Sequence, residues 1–303
     1  MNKGTAFAPG SIGNVGPGFD VLGLAVEGIG DRVTVELTRR DSRVHGVTGR
    51  DAEFVPRNAA KNCAAIAANA YLEPFGFRAI VTIEKGLALA GGMGGSAASS
   101  VAGAYAAGLA LGQAPNVRDV LAAALEGEAA VAGRHLDNIA PSVVGGLALS
   151  RSVDPIDVIK LPVAEEWWIA LVTPNVRIRT RDARALLPEE CDRATWIQQM
   201  ANTTALAHAF AAGDGALVTR ALDDRYAEPR RASLIPNFYD VKRAALKAGA
   251  FGCSISGSGP TLFAIAPDEA VARACRDAMA QAFGEVAGTH VGAIAKQGVR
   301  AVN

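Results

Sequence analysis

Cysteine is scarce in this chain: Cys63, Cys191, Cys253 and Cys275 stand far apart among 303 residues and form no CxxC pair. That spacing argues against a disulfide framework and a structural zinc site. His45, His135, His208 and His290 are equally dispersed and offer no close pair of metal ligands. An excess of charge is missing too, because 30 Lys and Arg balance 30 Asp and Glu. A balanced chain has no electrostatic case for nucleic acid or an acidic membrane face, and a small molecule fits better as partner. No apolar run approaches the ~18 residues of a spanning helix, and no basic segment followed by an apolar core opens the chain. These absences predict a soluble, cytoplasmic protein. Low-complexity tails and sustained repeats are absent as well.

What is present is an alternation of element types. The length exceeds that at which single cores usually stop growing, which favours two domains. Residues 33–37 and 79–83 alternate as strands, and the Ala-rich stretch 58–71 between them reads as a helix. Helices then dominate to about residue 133, with Asp119, Leu121, Leu125 and Ala129 on one amphipathic face. After a strand-like stretch ending at Ser150 and a connector with a strand at 154–162, Trp167 and Trp168 open a second unit. There, helices are predicted near 193–212, 215–227, 237–248 and 268–283, and strands near 253–256, 261–266 and 289–295. The pattern is that of an α+β chain divided into 1–160 and 161–303.

The most informative segment is Gly91-Gly92-Met93-Gly94-Gly95-Ser96, which runs directly into a helix of small residues. Glycines allow positive φ and close backbone approach, while a helix N-terminus presents free N–H groups and a positive dipole end. That combination seats an anion, although small residues also serve tight helix packing. Residues 92–97 satisfy the dinucleotide pattern G-x-G-x-x-A, but the ribose-binding acid expected about twenty residues on is missing. The stretch 94–98 approximates a nucleophile elbow without its final glycine. No Gly-Lys-Ser/Thr follows, which excludes a P-loop.

Two further segments accompany the loop. Residues 8–20 pack turn formers around Asn14 and Asp20, and Ser256-Gly257-Ser258-Gly259-Pro260 makes a second glycine turn between strands. In this order the three segments resemble the three motifs of the GHMP small-molecule kinases, and within them the homoserine kinases. Asn14-Val15-Gly16-Pro17-Gly18-Phe19-Asp20-Val21-Leu22-Gly23 is similar to that family's N-terminal signature. Glu128, His135-Leu136-Asp137-Asn138, Thr180 through Arg184, and Glu228-Pro229-Arg230-Arg231 extend the likeness.

The resemblance implies an N-terminal ribosomal S5-like domain, a C-terminal ferredoxin-like domain, and phosphorylation of L-homoserine by ATP in the cleft between them. It assigns the triphosphate to Ala88, Leu89, Ala90, Gly91, Gly92, Met93, Gly94, Gly95, Ser96, Ala97 and Ala98, with Gly257, Ser258 and Gly259 approaching from the other domain. Asn58 and Lys85 sit where the family contacts the nucleoside. Ser96 and Glu128 match its Mg2+ ligands, a hydroxyl and a carboxylate suited to an ion that takes its other ligands from phosphate and water. Asp20 with Asn14 would take the substrate ammonium, and Arg184 with Arg231 the carboxylate, where a planar guanidinium gives bidentate geometry. His135 and Asn138 would lie near the reacting hydroxyl, with Thr180 on the segment of Arg184. Asp137 is the available base, but the family favours a version in which Asn138 orients the hydroxyl and no side chain removes its proton. A homodimer is left open.

Ala88, Met93 and Gly95 stand where the family usually has proline, leucine and serine, and the loss of a loop hydroxyl predicts weaker nucleotide binding. Extra glycine in Pro9-Gly10-Ser11-Ile12-Gly13 predicts a more mobile N-terminal segment.

Overall fold

The computed structural model describes residues 2–302. Its first part runs β1 (Lys3–Gly13), β2 (Leu22–Thr38), β3 (Arg43–Gly49), α1 (Cys63–Leu72), β4 (Arg78–Lys85), α2 (Gly95–Ala110), α3 (Val117–Ala129), α4 (Ile139–Val144), β5 (Leu147–Val153) and β6 (Ile156–Leu161). Next come β7 (Trp168–Pro174), α5 (Thr180–Ala185), α6 (Arg193–Ala212), α7 (Gly215–Ala221), α8 (Glu228–Arg231) and α9 (Phe238–Lys247). The chain closes with β8 (Gly252–Ile255), β9 (Leu262–Ala266), α10 (Glu269–Phe283), β10 (Val286–Ala293) and β11 (Arg300–Ala301).

Two sheets result. The larger is ordered β11-β1-β2-β4-β3, with β5 and β6 attached to β2, and the smaller is ordered β10-β7-β9-β8. Period-two alternation buries Ala79, Val81 and Ile83 of β4 beside Val33 and Val35 of β2, whose registers pair Val33 with Ile83 and Val35 with Val81. Helix α2 packs on this sheet with almost no side chain exposed. Its small residues are necessary there: a Cβ on Gly103 would lie 2.5 Å from the Ala64 carbonyl, and one on Gly4 would lie 2.4 Å from that of Ala106. The helix-packing reading of the small residues thus describes the body of α2.

The core of the larger sheet continues into the second part of the chain, where Trp167 meets Phe210 and Phe251 edge-on at 5.1 and 5.4 Å. A separate cluster of Phe238, Val241, Ile255, Leu262, Met279 and Phe283 lies behind the smaller sheet. The closing strand β11 returns to pair with β1.

Several elements differ from the sequence expectation. Pro9–Gly13 is strand, not turn: a bulge between Pro9 and Ser11 absorbs the imide residue within the β1–β2 ladder. Stretch 58–71 divides into a 3-10 turn and α1, because Asn62 interrupts to cap the helix through the Ala65 N–H. The helix expected over 215–227 stops at Ala221. Asp224 then receives the N–H groups of Tyr226, Ala227 and Glu228, which favours a turn over helix continuation. Short elements β3, α4, α5 and α8 carry too few residues to show a period.

Candidate active site

The glycine loop joins β4 to α2. Three of its carbonyls are drawn away from the cleft by donors behind it: Gly91 O accepts from the Thr261 hydroxyl, Gly92 O from Ser256 Oγ at 2.6 Å, and Met93 O from the Ser11 N–H at 3.2 Å. The first i to i−4 bond of α2 is Ala98 N–H to Gly94 O, so the amides of residues 95–97 have no acceptor within the helix. With carbonyls turned back and amides forward, the loop fits an anion. Glycine is required at two corners: at Gly94 (φ 63°) a Cβ would lie 2.4 Å from Ser11 Oγ, and at Gly92 (φ 77°) 2.5 Å from Ser256 O. Ala88, Leu89, Ala90, Gly91, Gly92, Gly94, Gly95 and Ser96 line a cleft of about 480 Å³, joined from the smaller sheet's side by Gly257 and Ser258. Met93, Ala97 and Ala98 are buried beneath the loop, and Gly259 turns toward Ile235, Ile255 and Ile178.

Lys85 and Asn58 require correction. Lys85 is buried, paired with Asp31, and donates to Ser99 Oγ and the Gly95 carbonyl, both at 3.0 Å. Asp31 also accepts the N–H groups of Gly86 and Leu87 at 3.0 and 3.1 Å. A lysine held this way fixes the loop root and is not available to a nucleoside. Asn58 is exposed, caps the turn at Ala60, and lies outside the cleft lining.

Glu128 sits on the buried face of α3, in helical register with Leu121 and Leu125, so the same period that builds the core aims its carboxylate inward. It is 7% exposed, and burial pushes its carboxyl up to about 7, with the facing Ser96 hydroxyl opposing the shift. Its Oε2 has no partner among the described residues. A buried, unsatisfied carboxylate oxygen beside a hydroxyl and an anion seat suits a hard cation. Asp137, also in the lining, is likewise raised to about 7 by burial and then by the nearby Asp20 charge, opposed by the Arg184 charge and by the backbone N–H groups of Asn14 and Asn138.

At the other end of the cleft, Asn14, Val15 and Gly16 are successively left-handed at φ 68°, 46° and 70°, a strained corner for β-branched Val15. Asn14 spends its amide on this corner, donating to Gly257 O and accepting the Asp20 N–H, each at 2.9 Å. The glycine at 13 is a packing need, not a source of mobility: a Cβ there would lie 2.3 Å from Asp137 Oδ2 and 2.4 Å from Asn138 Nδ2. Asp20 receives both Arg184 Nη atoms in a bidentate pair at 2.8 and 3.0 Å. Arg184 Nε is buried without a partner among the described residues. Arg231, 3% exposed, donates to Gly257 O at 3.0 Å and lies 5.4 Å from the Phe19 ring, which Arg184 meets at 5.3 Å. His135 Nδ1 is 3.7 Å from Asp20, with its imidazole held below the usual value by burial against the pull of Asp20. Thr180 Oγ1 is 3.3 Å from Ser258 Oγ. The ammonium and carboxylate of an α-amino acid share one carbon, so groups chosen for both must be neighbours, as Asp20, Arg184 and Arg231 are.

Comparison with known proteins agrees with this arrangement. The GHMP kinases N terminal domain matches residues 58–146, and the GHMP kinases C terminal family matches residues 206–285. A homoserine kinase of Chlorobium phaeobacteroides is 40% identical over 299 residues, spanning 93% of this chain and 92% of that protein. One from Pyrococcus abyssi is 42% identical over 266 residues, 87% of each. The crystal structure of homoserine kinase from Cytophaga hutchinsonii superposes with a TM-score of 0.93 at 39% identity, covering 100% of this chain and 98% of that one. The chain belongs to the homoserine kinases. Leishmania major mevalonate kinase, at 13% identity and a TM-score of 0.72 over 97% of each chain, shares the fold.

As a homoserine kinase the chain uses ATP on a small-molecule substrate, and none of its described helices is long and apolar enough to cross a membrane. Sequence reasoning missed Phe19 as the surface under both guanidinium groups and Asp31 as the partner of Lys85. It also missed Val131, Ala132, Arg179 and Arg181 in the cleft wall. Phe19 was inside a recognised motif and could have been read as a cation–π platform. Nothing local distinguishes Asp31 from the other strand residues around it.

Proposed function

We propose that this cleft transfers the γ-phosphoryl group of ATP to the side-chain hydroxyl of L-homoserine, yielding O-phospho-L-homoserine and ADP in threonine biosynthesis. One observation carries the reading: charges that match a free amino acid, Asp20 with Arg184 and Arg231, border the same cleft as the amide-lined loop and Glu128. A sugar or other neutral alcohol has no charge to exchange for the Asp20–Arg184 pair and no carboxylate for Arg231, the buried guanidinium that hydrogen-bonds only to carbonyl oxygen among the described residues.

In this reading the loop amides bind the triphosphate, Asp20 meets the substrate ammonium from the corner that Asn14 fixes, and Arg184 with Arg231 holds its carboxylate. His135 and Thr180 border the amino-acid end. Ser96 and the orphaned Oε2 of Glu128 are the groups that would hold Mg2+. When bound, that ion supplies charge neutralisation on the phosphates. Asn138 orients the hydroxyl: its Oδ1 accepts from Ser11 Oγ at 3.0 Å and its Nδ2 donates to Asp137 at 3.2 Å, so the amide is fixed in place. A loose transition state needs little early deprotonation, and positioning supplies most of the rate.

Asp137 is the rival, since a carboxyl near 7 is well matched to a general base. Replacing Asp137 with Asn decides between them. Without a base, kcat falls by less than about 100-fold and the pH profile keeps its shape; a loss of several orders of magnitude assigns the proton to Asp137. Substrate identity is tested by ADP release with homoserine, serine, threonine, mevalonate and galactose. Homoserine is expected to be turned over far faster than the rest, and equal or greater rates with mevalonate or galactose would overturn the reading.

A further inference from the structure

The stretch Ala88–Gly91 borders two cavities, the cleft of about 480 Å³ on its inner side and another of about 440 Å³ on its outer side. With space on both sides, side-chain packing does little to hold this limb, and polar anchors must. One anchor comes from Asp51, just after β3, a non-glycine residue in the left-handed region at φ 53°. Its Oδ2 accepts the Leu89 N–H at 2.9 Å, and its Oδ1 accepts from Arg177 Nη2 at 2.9 Å. Arg177 lies in the connection from β7 to α5, just ahead of Thr180 and Arg184, and its guanidinium covers the Phe54 ring at 4.8 Å. The neighbouring Arg50 supports the same corner, with its N–H on the Lys85 carbonyl at 2.9 Å. One carboxylate therefore grips the nucleotide loop with one oxygen and the substrate-side segment with the other.

We propose that Asp51 is a positioning residue that, through Arg177, makes nucleotide and amino-acid binding mutually dependent. The proposal rests on the assignment of the loop to ATP and of Arg184 to the substrate. Moving the β7–α5 connection displaces Arg177, hence the Asp51 carboxylate, hence the Leu89 amide, and the same linkage runs in reverse. Two sites that share one such element must influence each other's affinity by the same factor.

Titration of the full chain with homoserine, with and without the methylene-bridged analogue AMPPCP and Mg2+, reads this directly. The unaltered protein is expected to bind homoserine at least about fivefold more tightly with the nucleotide present. Arg177→Gln changes an exposed side chain and removes the arm to the substrate segment with its contact on Phe54, while the Asp51 bond to the Leu89 N–H stays in place. It should bring the ratio close to one while leaving AMPPCP affinity and the melting temperature unchanged. Asp51→Ala removes both arms and should also weaken AMPPCP binding. A wild-type ratio of one, or an unchanged ratio in Arg177→Gln, overturns the proposal. If the unaltered protein does not phosphorylate homoserine at all, the functional assignment fails first and this inference falls with it.

Discussion

Above pH 7 the Glu128 carboxyl carries a charge that its burial opposes; below pH 7 it is a neutral acid. In the unfolded chain it titrates near 4.5, so between about 4.5 and 7 the folded protein holds more protons than the unfolded one. Stability consequently falls as pH rises through that window, and the full cost is present above it. Glu128→Gln is therefore expected to raise the melting temperature at pH 8 by an amount worth up to about 3 kcal/mol, and to leave it unchanged at pH 4. The same variant should lose at least about 100-fold in Mg2+-dependent turnover, a separation of stability from function readable by a melt and an ADP assay. Arg231 is a second single-residue test. Its fork reaches Gly257 and packs on Phe19, so Arg231→Lys should raise KM for homoserine roughly tenfold while KM for ATP stays put. Of these residues Glu128, Ser96, Asp20, Arg184 and Arg231 were legible in the sequence, because each sits in a short motif whose chemistry it completes. Lys85 was misread: a lysine before a glycine loop suggests phosphate or nucleoside contact, and only the fold reveals Asp31 opposite it.

Among the elements, α2 joins two roles that its composition alone leaves undivided. Its glycines and alanines bring it against β1 and α1, and its N-terminus opens on the cleft. Gly103→Ala, which would set a methyl 2.5 Å from a backbone carbonyl, should destabilise the protein by about 1–3 kcal/mol in urea unfolding. Its position also depends on the buried pair beneath the loop. Asp31→Ala leaves the Lys85 ammonium uncompensated and the Gly86 and Leu87 amides without their acceptor, with an expected loss of about 3–5 kcal/mol. The helices α9 and α10 lie close to where periodicity puts them, because several turns repeat one apolar face. Pro9–Gly13 was hidden because proline and glycine locally oppose a strand that long-range pairing with β2 nonetheless imposes. At 215–227 a local rule won instead, since the Asp224 carboxylate captures the following amides.

For the whole molecule, the cleft exists because two sheets meet across a shared core around Trp167, Phe210 and Leu222. Both sides contribute polar groups: Asn14, Asp20, Ser96, Glu128 and Asp137 among those from one, Thr180, Arg184, Arg231 and Ser258 among those from the other. A ligand bridging them should raise the unfolding free energy by about 2.7 kcal/mol at a hundred times its Kd, measurable as a melting shift with AMPPCP and Mg2+.

By itself the sequence determined an α+β chain, and it offered a glycine loop as an anion seat, a carboxylate and a hydroxyl as candidate cation ligands, and charges that would suit an amino acid. The element pattern and the glycine loop are properties of neighbouring residues, set by periodicity and glycine geometry, whereas the cation and amino-acid groups come from motifs far apart in the chain, each read by its own side-chain chemistry. The tertiary structure alone decided which charges answer each other: that Lys85 belongs to Asp31, that Asp20 and Arg184 are joined across the cleft, and that Asp51 reaches Leu89 and Arg177. Coulombic and hydrogen-bond partners are chosen by distance in space, and folding brings together residues that the chain holds far apart.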